Sequence, residues 1–198
     1  MGLGLTIGVV APAVAQVPSP ATQVARRKAL FIEQFTRLVE WPEGALRKDE
    51  PFVLCVLGKS ATAEELVNLA ERRRFKDRPS DMRRPRQDED LRSCHLIYIA
   101  ANETEWLGNV LRSIEGAPVL TVGDTRGFGE RGLHLNLFEE TRTRPRPGTY
   151  VGFELNVDAV RNSSLSFDPQ LLSQGRQVHS QGSDAGQSEG SQSEEDRR

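Results

Sequence analysis

Three short apolar runs, FVLCVL at 52–57, HLIYIA at 95–100 and PVLTV at 118–122, stand apart from the charged sequence around them. Each has the length of a strand, and apolar residues occupy successive positions instead of every second one. A run of that kind reads as a strand buried on both faces. The stretch ATAEELVNLA follows the first run, with Leu66 and Leu69 at inward positions and Ser60 or Thr62 placed to cap a helix. Between the second and third runs, residues 103–114 put Trp106, Leu107, Val110 and Leu111 on one helical side. Buried strands separated by helices predict a mostly parallel sheet with helices packed on both of its faces.

The flanks complete that plan. Residues 23–40 repeat apolar groups at helical spacing, with Leu30, Phe31, Phe35, Leu38 and Val39 on one stripe and Arg26, Lys28, Glu33 and Arg37 elsewhere. Trp41-Pro42 closes this helix, because the residue before proline avoids helical dihedrals. Residues 71–92 are dense in charge and hold one weak edge strand near Ser80–Arg84, blunted by Pro79 and Pro85. After Gly123 the period changes to two. Leu133, Leu135 and Leu137 alternate with His134, Asn136 and Phe138, and Tyr150–Asn156 forms a second such run beyond an arginine- and proline-rich turn at 141–148. These runs read as an antiparallel hairpin, and short helices from Asp158 and Asp168 end the fold. The expected class is α/β: a mixed, mostly parallel central sheet with helices on both faces and a C-terminal antiparallel hairpin, a Rossmann-like three-layer sandwich.

One domain over 23–174 accounts for most of the 198 residues. Polar ends and a charged middle explain a mean hydropathy of -0.49 with only 37% hydrophobic residues. The tail 175–198 is glycine, serine, glutamine and acid, too polar to offset its own ordering entropy, and His179 within it reads as solvated. The first 15 residues read as a signal peptide. An apolar run from Leu3 to Val14 ends in Ala13-Val14-Ala15, a signal-peptidase pattern, although no basic residue precedes Arg26. That departure fits a start codon lying further upstream. The apolar run is too short to span a bilayer, which takes about 20 apolar residues. A formal charge of -2 argues against nucleic-acid binding, which calls for a basic face.

Chemistry-bearing motifs are few. Gly127, Gly129 and Gly132 in GFGERG match the spacing of a dinucleotide-binding turn. Such a turn must open a helix whose free N–H groups meet the phosphate, whereas LHLNLF, a strand pattern, follows here. The glycines read instead as a flexible loop between strands, and no cofactor is expected. Asp124 follows a strand end, where α/β folds often bind ligands, but it has no evident carboxylate or histidine partner in the sequence. His95, at the start of a buried strand, reads as a packed or surface imidazole and His134 as lying on a polar strand face. Neither the histidines nor the two cysteines have metal-site spacing, so no metal ligand and no catalytic residue is assigned. The arginines of 72–92 interleave with Asp77, Asp81, Asp88, Glu89 and Asp90 and read as a solvated charged face. Cys55 lies within the first apolar run and Cys94 just before the second, 39 residues apart. If those strands are neighbours the sulfurs can bridge, closing a loop worth about 4 kcal/mol in the chain-entropy model. Two buried thiols acting as small hydrophobes are the other reading.

The blocks KALFIEQFTRLVEWP (28–42), PFVLCVLG (51–58), LRSCHLIYIA (91–100), PVLTVGDTRGFGERG (118–132) and VGFELNVDAVRNSSLSFDPQLL together resemble the YfiR family. The resemblance covers roughly residues 25–173 and rests on the order of the blocks more than on any one of them. It implies a small exported α/β protein of the bacterial periplasm, not an enzyme and without a cofactor. The implied partner is the periplasmic sensory domain of a membrane diguanylate cyclase, which such a protein holds inactive, lowering cyclic-di-GMP and biofilm formation. The resemblance also favours a Cys55–Cys94 disulfide. A homodimer is compatible with it; nucleic acid and insertion into the membrane after signal cleavage are not expected. The chain departs from the family pattern in its arginine-rich 71–86 segment, its RTRPRPG turn at 142–148 and its acidic tail, and it lacks the second cysteine pair of the best-known member. The alternative is a periplasmic small-molecule-binding or outer-membrane-transport accessory protein that reads a ligand near Asp124.

Overall fold

A computed structural model describes residues 18–86 and 88–181. The proposed signal peptide and residues 182–198 of the tail lie outside that range. The chain opens with helix α1 (Pro20–Arg37), capped by the Ser19 hydroxyl, and strand β1 (Val39–Glu40). The core strands β2 (Phe52–Leu57), β4 (Leu96–Ile99) and β5 (Leu120–Gly123) are buried at every position, as their unbroken apolar runs require. Helix α2 (Ala61–Arg72), capped by Ser60, leads from β2 to the edge strand β3 (Ser80–Arg83). Helix α3 (Leu107–Ser113) leads from β4 to β5. Strands β6 (Leu135–Arg142) and β7 (Gly148–Asn156) form the hairpin. Helix α4 (Val157–Arg161), β8 (Ser166–Phe167), α5 (Pro169–Gln174) and β9 (Arg176–Val178) follow.

The main sheet has seven strands in the order β3-β2-β4-β5-β6-β7-β9. Pairing is parallel from β3 through β6, antiparallel between β6 and β7, and parallel again between β7 and β9. A two-stranded antiparallel sheet joins β1 to β8. The alternate residues of the core strands point into two separate apolar layers. Phe52, Leu54, Val56, Leu96, Tyr98, Leu120 and Val122 pack with α1 and α2, where Phe35 meets Phe153 edge-on at 4.9 Å. On the opposite face, Val53, Cys55, Leu57, Ile97 and Ile99 pack with Leu107 and Val110 of α3 and with Phe128. The mixed three-layer α/β arrangement expected from the sequence is the one observed.

Several local expectations differ from the structure. The first helix ends at Arg37, and Val39–Glu40, expected as its last turn, instead pair with β8. Its inward face centres on Ala25, Ala29, Ile32 and Phe35, so Lys28 and Glu33 are buried while Leu30 and Phe31 are only half-buried. Both charged groups arrive with partners, which is what makes their burial tolerable. The 103–114 helix is shorter than its apolar pattern, α3 following a 3-10 turn at Ala101–Glu103. Residues Arg176–Val178, placed in the polar tail, form β9, because the N–H and C=O groups on the open side of β7 accept another strand whatever its side chains. Arg176 lays its guanidinium over the Phe138 ring at 4.4 Å and pairs with Glu154.

Candidate functional site

In a doubly wound sheet the place to look for a ligand is the crevice beyond the carboxyl ends of the strands, where the strand order reverses. Here the chain leaves β2 for β3 on one side and returns to β4 on the other, so the reversal falls between β2 and β4. That crevice is filled by the chain's own polar groups. Asp124, directly after β5, accepts the Tyr98 hydroxyl of β4 on Oδ1 at 2.7 Å and the Thr62 hydroxyl of α2 on Oδ2 at 2.8 Å. Lys28 of α1 reaches the same Oδ2 at 3.2 Å and Glu139 of β6 at 2.8 Å. Ser60 lies 3.0 Å from the Tyr98 oxygen while its own oxygen accepts the Ala63 N–H of α2.

The side chains of Lys28 and Asp124 are 9% and 11% exposed, which sets the electrostatics of the cluster. Burial works against the Lys28 charge, but the bonds to Glu139 and Asp124 outweigh it and raise the lysine pKa above its ordinary value. Burial, with the Asp124 charge beside it, pushes the Tyr98 phenol far up, so it serves as a fixed donor and does not ionise. Both Asp124 oxygens are engaged, and the crevice named as a ligand site in the alternative reading is occupied by a lysine bridge. The sequence hid this cluster because its members come from five elements and Lys28 sits among positions that read as solvated.

The glycine motif forms a strap across the sheet. From the carboxyl end of β5, residues 124–134 return to the level at which β6 can start parallel to β5, through turns and without a helix. Gly127 and Gly132 adopt φ of 83° and 107°, the left-handed region that glycine enters at little cost. Gly129 is needed for space, since a Cβ there would stand 2.8 Å from a Glu154 carboxylate oxygen. Between these glycines Phe128 plugs the α3-side core, and the Gly129 carbonyl accepts the buried Asn156 amide at 2.7 Å. Glu154 in turn accepts from Asn136 at 2.8 Å. The strand following the motif is present, as LHLNLF implied, and the loop is stitched to the hairpin by buried amides.

The histidines also have structural partners. His95 accepts the Val53 N–H on Nδ1 at 2.8 Å and donates from Nε2 to the Ala45 carbonyl at 2.9 Å. Burial, aided by the nearby charges of Arg78 and Arg83, lowers its pKa despite the Ala45 carbonyl. His134 departs from expectation. It is buried rather than on a polar face, its Nδ1 2.7 Å from the Thr121 hydroxyl and its ring stacked on Phe167. Burial pushes its pKa down to about 4. His179 lies exposed, 3.3 Å from Asp158. Cys55 and Cys94 are bonded to each other with Cα atoms 5.9 Å apart, in the apolar layer on the α3 side of the sheet. Among the described residues no group of histidine, cysteine and carboxylate side chains could hold a metal ion, and no helix is long and apolar enough to cross a membrane.

Comparison with known proteins places this architecture. A family model described as YfiR/HmsC-like (DUF4154) matches residues 25–176, from within α1 to the start of β9. Among solved structures, a conserved domain protein from Vibrio cholerae O1 biovar El Tor superposes with a TM-score of 0.51 at 11% identity. The superposition covers 77% of this chain and 59% of that one, and at such identity it speaks for the fold alone. No curated protein sequence matches the chain.

Proposed function

Because the chain belongs to the YfiR/HmsC-like family, we propose that it is an exported regulator that binds the periplasmic sensory domain of a membrane diguanylate cyclase and holds that enzyme inactive. The observation that carries this reading is the extent of the family match, residues 25–176, which takes in every strand of the parallel core and the hairpin. The family is one of periplasmic regulators, not of catalysts. The geometry is in keeping with such a role: the side chains of Asp124, Lys28, Tyr98, His95 and His134 are each bonded to groups of neighbouring elements. A regulator of this kind works by differential affinity. It binds the inactive state of its partner more tightly than the active one, and the ratio of the two affinities sets how far the population moves.

The test has two arms. Deleting the gene should raise cellular cyclic-di-GMP, and restoring it on a plasmid should bring the level back. The purified chain should bind the isolated periplasmic domain of a membrane diguanylate cyclase from the same genome in a calorimetric titration. Unchanged cyclic-di-GMP across growth conditions, together with no binding to any such domain, would overturn the proposal.

A further inference from the structure

The sheet face that carries α3 is covered unevenly. Helix α3 brings Leu107 and Val110 to it, and the 91–94 segment ahead of β4 adds Leu91 and Cys94 to the same apolar layer. Between this segment, the amino ends of the parallel strands and the 43–50 loop lies a cleft of about 370 Å³. This volume is within the range of small-molecule sites, which begin near ~300 Å³. Val53, Cys94 and Pro118 are among its lining residues and supply an apolar floor. The loop wall is fixed from two sides. His95 holds the Ala45 carbonyl, and Arg78 donates to the carbonyls of Leu46, Arg47 and Glu50.

Guanidinium groups from three separate segments stand at the rim: Arg47 of the loop, Arg83 at the end of β3, and Arg92 ahead of β4. Arg47 faces Glu50 at 3.4 Å, and Arg83 forks onto Asp81 at 2.6 and 2.9 Å. Arg92 donates from its guanidinium to the main-chain carbonyls of Ser113 and Glu115, at 3.3 and 3.0 Å, while its main-chain N–H goes to the Asp90 carboxylate at 2.9 Å; among the described residues the guanidinium itself has no carboxylate partner. The three guanidiniums therefore hold two carboxylates between them, and burial together with the Val53 N–H donated to Nδ1 favours the neutral form of His95. A hollow with an apolar floor and one unbalanced positive charge at its rim matches a particular ligand chemistry. A guanidinium presents two parallel N–H donors to the two oxygens of a carboxylate.

We propose that the Arg47–Arg83–Arg92 cleft is a binding site for a small organic carboxylate, its apolar body lying on Val53, Cys94 and Pro118 and its charged group among the guanidiniums. The site lies at the opposite edge of the sheet from the filled crevice at Asp124, and it stands whether or not the regulatory reading holds.

The test is a ¹H–¹⁵N NMR titration of the oxidised protein with benzoate, benzyl alcohol and inorganic phosphate as probes. Benzoate should give saturable shifts confined to residues 44–53, 83 and 92–95, and benzyl alcohol should give none that saturate. Arg92→Gln should weaken benzoate about tenfold or more, the loss expected when a charged hydrogen bond is removed. Arg47→Gln, which leaves the carbonyls of α3 untouched, is the second variant and should weaken it also, while Arg26→Gln on exposed α1 should leave it unchanged. Shifts scattered over the surface, or binding retained in both cleft variants, would overturn the site. Saturable binding of phosphate without benzoate would overturn the carboxylate assignment.

Discussion

Replacing Lys28 by methionine tests whether the polar cluster at the carboxyl edge holds the sheet to α1. Methionine keeps the aliphatic stem, so the change removes the ammonium and little packing volume. Asp124 would then retain its bonds from Tyr98 at 2.7 Å and Thr62 at 2.8 Å but lose its counter-charge in a nearly dry position. Stranding a fully buried charge costs about 3–5 kcal/mol. Two remaining hydroxyl donors reduce that figure, and Glu139, 49% exposed, can return to water. The expected loss is about 2–3 kcal/mol, since a charged hydrogen bond contributes roughly 1.5–3 kcal/mol. Urea unfolding followed by tryptophan fluorescence reads this as a midpoint lower by about 1 M for a slope near 2–3 kcal/mol/M. The raised Lys28 pKa makes its contribution complete below the unfolded value of 10.5, to be lost only as pH rises through the higher folded value, so pH 7 reports all of it. Adding Asp124→Asn to Lys28→Met should cost less than the two single changes summed, because the second change removes the stranded charge. A single-variant loss below about 0.5 kcal/mol, the scatter of ordinary surface changes, would refute the cluster's structural role. So would strict additivity of the pair.

His134 predicts a pH dependence of known sign. With its folded pKa near 4 against 6.5 unfolded, the unfolded chain takes up a proton that the folded chain refuses, so stability falls as pH drops from 6.5 towards 4, by about 3 kcal/mol in all. His134→Asn, which keeps an acceptor near Thr121, should flatten that part of a stability–pH curve measured by urea unfolding; an unchanged slope would reject the assignment. The Cys55–Cys94 bond should appear as the absence of free thiols in the protein isolated and analysed by mass spectrometry without reductant. Its reduction should cost about 4 kcal/mol for a loop of this length, and two free thiols in the untreated protein would contradict the pairing.

What could be read from the sequence followed the short-range rules closely. Unbroken apolar runs fixed β2, β4 and β5, and alternation identified the hairpin. The strand pattern after GFGERG was enough to set aside a phosphate-binding turn. The misreadings share one cause: local pattern cannot see partners far along the chain. Lys28 fell off the apolar stripe in the sequence because the carboxylates that make its burial tolerable are supplied by tertiary contacts; the Lys28–Asp124 pair spans 96 residues. His134 read as polar because alternation assigns a face but not whether the next layer covers it, and here Phe167 does. Val39–Glu40 read as helix because their strand partner, Ser166–Phe167, lies at the far end of the domain.

The contrast between the two edges of the sheet follows from topology. Helix α1 precedes the first core strand and packs on the same face as α2, so it can deliver Lys28 to the point where strand order reverses. The crevice that related architectures leave open for ligands is closed here by one lysine and its carboxylates. With both helices on that face, the opposite side of β2 is packed by α3 together with Leu91 and the Cys55–Cys94 disulfide. Arg92, Ser93 and Cys94 line the cleft together with Arg83 and the 43–50 loop. The arginines that read as a solvated face in the sequence thus acquire a floor and a shape. A change that discharges the crevice, such as Lys28→Met, and one that disarms the cleft, such as Arg92→Gln, should therefore separate cleanly. The first should act on stability and spare benzoate binding; the second should weaken benzoate binding without reproducing the coupling between Lys28 and Asp124.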